Sequence, residues 1–146
     1  MPVSYTHLDV YKRQVKIRTD DAHRMADIQE ATSKLMSYGV KNAIITLGSS
    51  GAVIANSDEL IYTPCVDVVE VKDPTAAGDS FVGSFCTGVC SGMNHQQAMD
   101  FANYTATLTV SRMGAQPSLP QLDEVIALMK QEHFSGFNVE ILNALK

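Results

Sequence analysis

The stretch Val71-Lys72-Asp73-Pro74-Thr75-Ala76-Ala77-Gly78-Asp79-Ser80-Phe81 constrains this chain more than any other. It reads as an extended segment, a sharp turn of small residues, and the first turn of an apolar helix running to about Met93. Small side chains bare the backbone N–H groups at the helix start, where unpaired donors and the helix dipole favour an anion. Asp79 placed directly on such a site would repel a phosphate. That conflict is tolerated where a base is wanted beside a phosphoryl group in transfer. The stretch therefore points to phosphoryl-transfer chemistry.

The flanking sequence sets the fold class. Asp20 and Asp21 supply first-turn acids after Thr19, and Met25, Ile28, Leu35 and Met36 keep a helical period up to Gly39, a natural helix-ending residue. Ala43-Ile44-Ile45-Thr46-Leu47 is a short apolar run, as expected of a strand buried on both faces of a parallel sheet. Further strands are expected at Ala52–Ala55, Glu59–Thr63 and Cys65–Val71. Helix, turn and buried strand in succession give an α/β class. Between the first two strands lies Thr46-Leu47-Gly48-Ser49-Ser50-Gly51; on its own, such a glycine-containing turn is read more readily as a plain hairpin loop.

Downstream, Val82, Phe85, Cys86, Val89 and Met93 form one helical face, with Gly83, Ser84 and Gly88 permitting close packing. Asn94-His95-Gln96-Gln97 has the form of a capping box, and Ala98, Phe101, Ala102, Leu108 and Val110 line the helix it opens. A last helix spans Gln121 to Gln131, with Leu122, Val125, Ile126 and Met129 at helical spacing, while residues 132–146 carry no decisive pattern.

Composition removes other classes of function. With 146 residues, 45% hydrophobic and 18% charged, the chain is one ordinary globular domain or a piece of one. A net charge of −5 offers no basic stripe for nucleic acid. No apolar run reaches the roughly 18 residues of a membrane span. Cys65, Cys86 and Cys90 read as buried thiols in a reducing cytoplasm. His7, His23, His95 and His133 do not cluster and read as solvated. Residues 2–14 have no helical or strand period, and one choice of codons makes them almost wholly an inverted repeat, similar to two sequencing adapters joined head to head. Residues 1–14 are accordingly set aside as an assembly scar, with natural sequence expected from Val15.

Three stretches together resemble the PfkB/ribokinase family of sugar kinases: Gly39 to Gly51, Asp73 to Phe81, and Ser111-Arg112-Met113-Gly114-Ala115-Gln116-Pro117-Ser118. The second is specific in order and context, and the Gly-Ala-Gln-Pro-Ser of the third is closer to ribokinases than to fructokinases or adenosine kinases. Ser84 stands where the family usually has Ala or Gly. The resemblance covers residues 15–131, the carboxy-terminal, nucleotide-binding portion. It implies an incomplete three-layer α/β/α fold of ribokinase type with a mostly parallel central sheet.

By the same resemblance Asp79 is the catalytic base and the one sugar-contacting residue present, and the amides of Ala76, Ala77 and Gly78 form the anion hole. Thr46, Leu47, Gly48, Ser49, Ser50 and Gly51 form the loop along ATP, joined by Gly78 and Asp79 at the phosphates and Asn103 near the adenine. Asp73, Thr75, Thr109, Arg112, Gly114 and Ser118 match the family's monovalent-cation site, several through backbone carbonyls. The implied cofactors are Mg2+ with ATP and an activating K+. The implied partners are a small sugar and ATP, with no nucleic acid or membrane, in a cytoplasmic homodimer. The sugar-binding residues, lid strands and magnesium-linked Asn-x-x-Glu element belong upstream of Val15, so the chain by itself is expected to be inactive.

Overall fold

The computed structural model describes residues 21–145, with side chains from Arg24 onward. Helix α1 spans Asp21–Ser37, strands β1, β2 and β3 span Ala43–Thr46, Ala52–Ala55 and Leu60–Thr63, and helices α2, α3 and α4 span Ala77–Cys90, His95–Val110 and Leu122–Gln131. The expected scar at residues 1–14, and Thr19 and Asp20, lie outside the described residues, as does the side chain of His23. The chain divides into two compact units, residues 1–64 and 65–146.

In the first unit α1 ends where Gly39 was expected to end it. Gly39 takes φ +87°. Its N–H donates to the Met36 carbonyl at 2.9 Å, and the Val40 N–H reaches back to Leu35 at 3.3 Å, the paired bonds of a Schellman motif. The buried residues of α1 are Asp27, Ile28, Ala31 and Thr32, while Met25 is 39% exposed. Ile28 packs with Leu47 and Val53, flanked by Ile45 and Leu60.

The sheet departs from the mostly parallel one expected: among the described residues it has the order β1-β2-β3 and both pairings are antiparallel. Ala43 faces Ala55 and Thr46 faces Ala52, then Ala52 faces Thr63 and Ala55 faces Leu60. The short connections explain this, since a parallel neighbour needs a crossover of about a dozen residues or more. The strand buried throughout is the central β2, not β1, which is only partly covered beyond Ala43. No strand forms over Cys65–Val71, a segment with apolar alternation but no ladder partner.

The second unit is built on α2 against α3. Asn94 accepts the Gln97 N–H at 2.9 Å while Gln97 Oε1 accepts the Asn94 N–H at 3.1 Å, so the expected capping box opens α3. The buried face of α2 is Ser80, Phe81, Phe85 and Gly88. The expected face is thus rotated: Phe85 and Met93 are buried, whereas Val82 is 49% and Val89 37% exposed. The cause is Gly88, whose missing side chain lets α2 approach Ala98 and Met93 on that side. All three cysteines are exposed, against the expectation of buried thiols. Helix α3 buries Thr105, Thr107 and Thr109 along with Ala98, Phe101 and Ala102, and a carbonyl lies within hydrogen-bond reach of each of these threonine hydroxyls.

Helix α4 buries Val125, Ile126, Leu128 and Met129. His133, at φ +52°, takes the left-handed position that ends it. The tail then folds back in a 3₁₀ turn over Val139–Leu145, with Val139 and Leu142 buried. Phe134 packs edge-on to both Tyr104 (5.5 Å) and Phe137 (5.0 Å). His95 is half-buried and its ring stacks on Phe85 at 6.2 Å, so it is less solvated than its sequence context suggests.

Candidate active site

The turn before α2 is held by Asp73. One carboxylate oxygen accepts the Thr75 N–H at 2.9 Å and the other accepts the Gly114 N–H at 2.8 Å. These donors, with the Thr75 side chain first among them, hold the Asp73 carboxyl below its ordinary range. The N–H groups of Lys72 and Asp73 both donate to the Val110 carbonyl, at 2.8 and 3.1 Å. Asp73 thus joins the Gly114 turn to the start of α2, which the sequence separates by most of two helices.

Ala76 is the N-cap residue of α2 and takes the left-handed conformation, φ +65° and ψ 2°. That costs an L-residue about 1–2 kcal/mol, and such strain persists where surrounding contacts over-determine it. The turn closes with the Ala77 N–H on the Pro74 carbonyl (3.2 Å) and the Ser80 N–H on the Ala76 carbonyl (2.9 Å). Of the three expected anion-hole amides, Ala77 is therefore already engaged. The N–H groups of Gly78 and of the neighbouring Asp79 meet no acceptor among the described residues. The Ala76 N–H is likewise without an acceptor among the described residues, so two of the three expected donors, Ala76 and Gly78, are unpaired.

Asp79 is exposed and lines an open cleft of about 460 Å³ with Ala76, Ser80, Gly83, Thr105 and Gln116. The cleft walls come from the first turns of α2, from α3, and from the 3₁₀ turn over Gln116–Ser118. A carboxylate beside unpaired N–H groups at a helix start can accept a proton from a hydroxyl while those donors face an anion.

The remaining site residues fall as follows. Asp73, Thr75 and Gly114 are brought together by the bonds described above. Thr109 and Ser118 are fully buried. Ser118 Oγ donates to the Ala115 carbonyl at 2.6 Å. The guanidinium of Arg112 turns to Glu124, with N···O distances of 2.7 and 3.2 Å, so Arg112 offers a cation only its carbonyl. Asp73, Thr75 and Gly114 thus bring oxygen atoms to one turn, the ligand type that hard cations take. No group of three or more His, Cys, Asp or Glu able to hold a metal ion occurs among the described residues. Asn103 is buried within α3.

In the first unit, Thr46 to Gly51 is the connection of the β1–β2 hairpin. Leu47 N–H donates to the Gly51 carbonyl at 2.8 Å, and Tyr62 Oη donates to the Ser50 carbonyl at 2.7 Å. Gly48 at φ +59° and Gly51 at φ +97° make the reversal possible. The Gly48 and Ser49 N–H groups meet no acceptor among the described residues. Sequence reasoning did not single out Ser80 or Glu124, whose partners Thr109 and Arg112 lie 29 and 12 residues away in the chain.

Residues 15–122 match the family described as pfkB family carbohydrate kinase. The ribokinase of Schizosaccharomyces pombe is 38% identical over 111 residues, covering 74% of this chain and 34% of that protein. The nucleoside kinase of Methanocaldococcus jannaschii is 34% identical over 109 residues, covering 70% of this chain and 36% of that one. Among solved structures, Arabidopsis thaliana ribokinase complexed with ribose and ATP superposes with a TM-score of 0.70 at 32% identity, over 72% of this chain and 34% of that chain. The chain spans about a third of the length of these relatives. The matched residues 15–122 include the α2 turn, and the solved ribokinase shares the fold: this chain belongs to the pfkB family of carbohydrate kinases and has a ribokinase-like α/β fold.

Proposed function

We propose that this chain carries the catalytic turn and nucleotide-binding portion of an ATP-dependent sugar kinase, transferring the γ-phosphoryl of ATP to D-ribose to give D-ribose 5-phosphate. The observation that carries the reading is Asp79 at the mouth of the α2 cleft, beside the unpaired N–H groups of Gly78 and Asp79 itself. In phosphoryl transfer the protein mainly positions the reactants and stabilises charge. Asp79 takes the proton of the attacking hydroxyl, and the helix-start donors face the charge building on the phosphoryl oxygens. In the first unit, the Gly48–Ser50 turn is by itself a nucleotide-contacting loop. K+ bound by the oxygens of Asp73, Thr75, Thr109, Arg112, Gly114 and Ser118 would supply positive charge behind the anion-facing turn. Mg2+ accompanies ATP as its phosphate counter-ion. A cytoplasmic homodimer belongs to the same proposal.

The test grafts residues 15–122 into Arabidopsis thaliana ribokinase in place of the matching segment. The graft is expected to phosphorylate ribose with ATP and to work faster in potassium than in sodium. Asp79→Asn should remove most turnover while nucleotide binding persists; near-normal kcat in that variant would refute the assignment. The identity with a nucleoside kinase favours one competing acceptor, so a nucleoside is assayed beside ribose and fructose. Binding of nucleotide without transfer to any acceptor would instead support a non-catalytic nucleotide-binding module.

A further inference from the structure

We infer that Ser80 and Thr109 are positioning residues, a buried hydroxyl pair that clamps the α2 turn in its strained shape and so aims Asp79 and the Gly78 N–H. The inference rests on the proposed kinase function for its catalytic meaning, but its geometry is independent of it.

Thr109 Oγ1 donates to Ser80 Oγ at 3.0 Å, with the Thr105 carbonyl oxygen, 2.9 Å away, sharing the same proton. Ser80 Oγ in turn donates to the Ala77 carbonyl at 3.0 Å. Thr109 is fully buried and Ser80 is 7% exposed, so water does not compete for the bond between them. Meanwhile Val110, the next residue along α3, accepts the N–H groups of Lys72 and Asp73. The chain entering the turn and the helix leaving it are therefore both fastened to one point on α3. The intervening loop, with Ala76 at φ +65°, must span two fixed ends. That is the over-determination a left-handed alanine needs. Ser80 is also the first residue of α2 whose N–H closes on Ala76, at 2.9 Å. Loosening its hydroxyl frees the carboxylate immediately before it to swing with the first turn.

Amide hydrogen exchange of the 146-residue chain, read by NMR, tests the clamp directly. Thr109→Val keeps the branched shape and removes the hydroxyl; it should speed exchange at the Ser80 N–H by about tenfold while leaving Val125 to Met129 of α4 unchanged. Thr109→Ser should restore the original rate. Equal acceleration in α4, or none at Ser80, overturns the proposal. If Thr109→Val does not fold, Ser80→Ala carries the same comparison, since it keeps the reporting N–H. In the ribokinase graft, Thr109→Val should lower kcat by about 10- to 100-fold with little change in KM for ATP, the signature of misplacement. Unchanged kcat overturns the catalytic part of the proposal. An unsubstituted graft without transfer to any acceptor overturns the kinase function, and the exchange experiment then still decides the clamp.

Discussion

Gly83 and Gly88 lie on the same helix and invite the same substitution with opposite results. Replacing a helical glycine by alanine removes a conformational penalty of about 1 kcal/mol. At Gly83 an added Cβ meets nothing within 4 Å, so Gly83→Ala should stabilise the chain by roughly 0.5–1 kcal/mol. At Gly88 the new Cβ would stand 3.0 Å from Met93 Sδ, 3.2 Å from Ala98 Cβ and 3.4 Å from Ala98 Cα. The methionine end can swing aside, but Ala98 belongs to the first turn of α3, which the Asn94–Gln97 capping box fixes. Overpacking against such a wall costs about 1–3 kcal/mol, leaving Gly88→Ala destabilising by about 1 kcal/mol net. Urea unfolding of both variants, followed by circular dichroism at unchanged m, should move the midpoints in opposite directions by roughly half a molar each. If Gly88→Ala stabilises as much as Gly83→Ala, the two helices do not touch there and the account of the buried α2 face fails.

Asp79→Asn in the ribokinase graft should lower kcat by about 10²–10⁴-fold, the usual contribution of a positioned base, with ATP binding kept in a calorimetric titration. Ala76→Gly relieves a left-handed alanine but loosens the unfolded chain, so its stability should stay within about 1 kcal/mol of the parent in the same urea assay; Ala76→Val should fall well below it. The carboxyls of Asp73 and Glu124 are both held below their ordinary range, Glu124 first by the Arg112 guanidinium and then by the Gln121 N–H. Depressed carboxyls stabilise the fold above their unfolded values near pH 4, and that contribution is lost as pH falls through the folded values. Asp73 is half-buried at the surface and Glu124 is exposed, so the effect is modest. Asp73→Asn should lower stability at neutral pH and flatten the acid limb of the melting profile, and an unchanged limb would show that the carboxylate does not brace the turn.

Much of the site was legible because its signals are local. Gly39 had to end α1, Asn94 and Gln97 had to cap α3, and the turn at Ala76 to Asp79 announced itself by small residues ahead of a helix. What stayed hidden depends on partners distant in sequence. Two apolar stripes run along α2, and only the approach of Ala98 to Gly88 decides that Phe81 and Phe85 face inward while Val82 and Val89 do not. The Thr109–Ser80 contact joins residues of opposite helices through hydroxyls that sequence periodicity counts as polar interruptions. The antiparallel sheet was readable in principle, since the connection from Thr46 to Ala52 is too short for anything but a hairpin, but the apolar run at Ile44 and Ile45 drew the reading toward a buried parallel strand. Ala77 could not be recognised as engaged, because its bond to Pro74 follows from the left-handed turn of Ala76.

The outward stripe of α2 carries its own reporter. Cys86 and Cys90 stand exposed on the helix whose first turn bears Asp79, and Val82 and Val89 share its open surface. A maleimide or other thiol-directed reagent should therefore label both cysteines readily in the native chain. Anything that comes to lie over that surface would slow the labelling of Cys86 and Cys90, and mass spectrometry of the alkylated peptides would map such cover residue by residue. The helix that presents the proposed base thus doubles as a footprinting probe, with no label to be introduced.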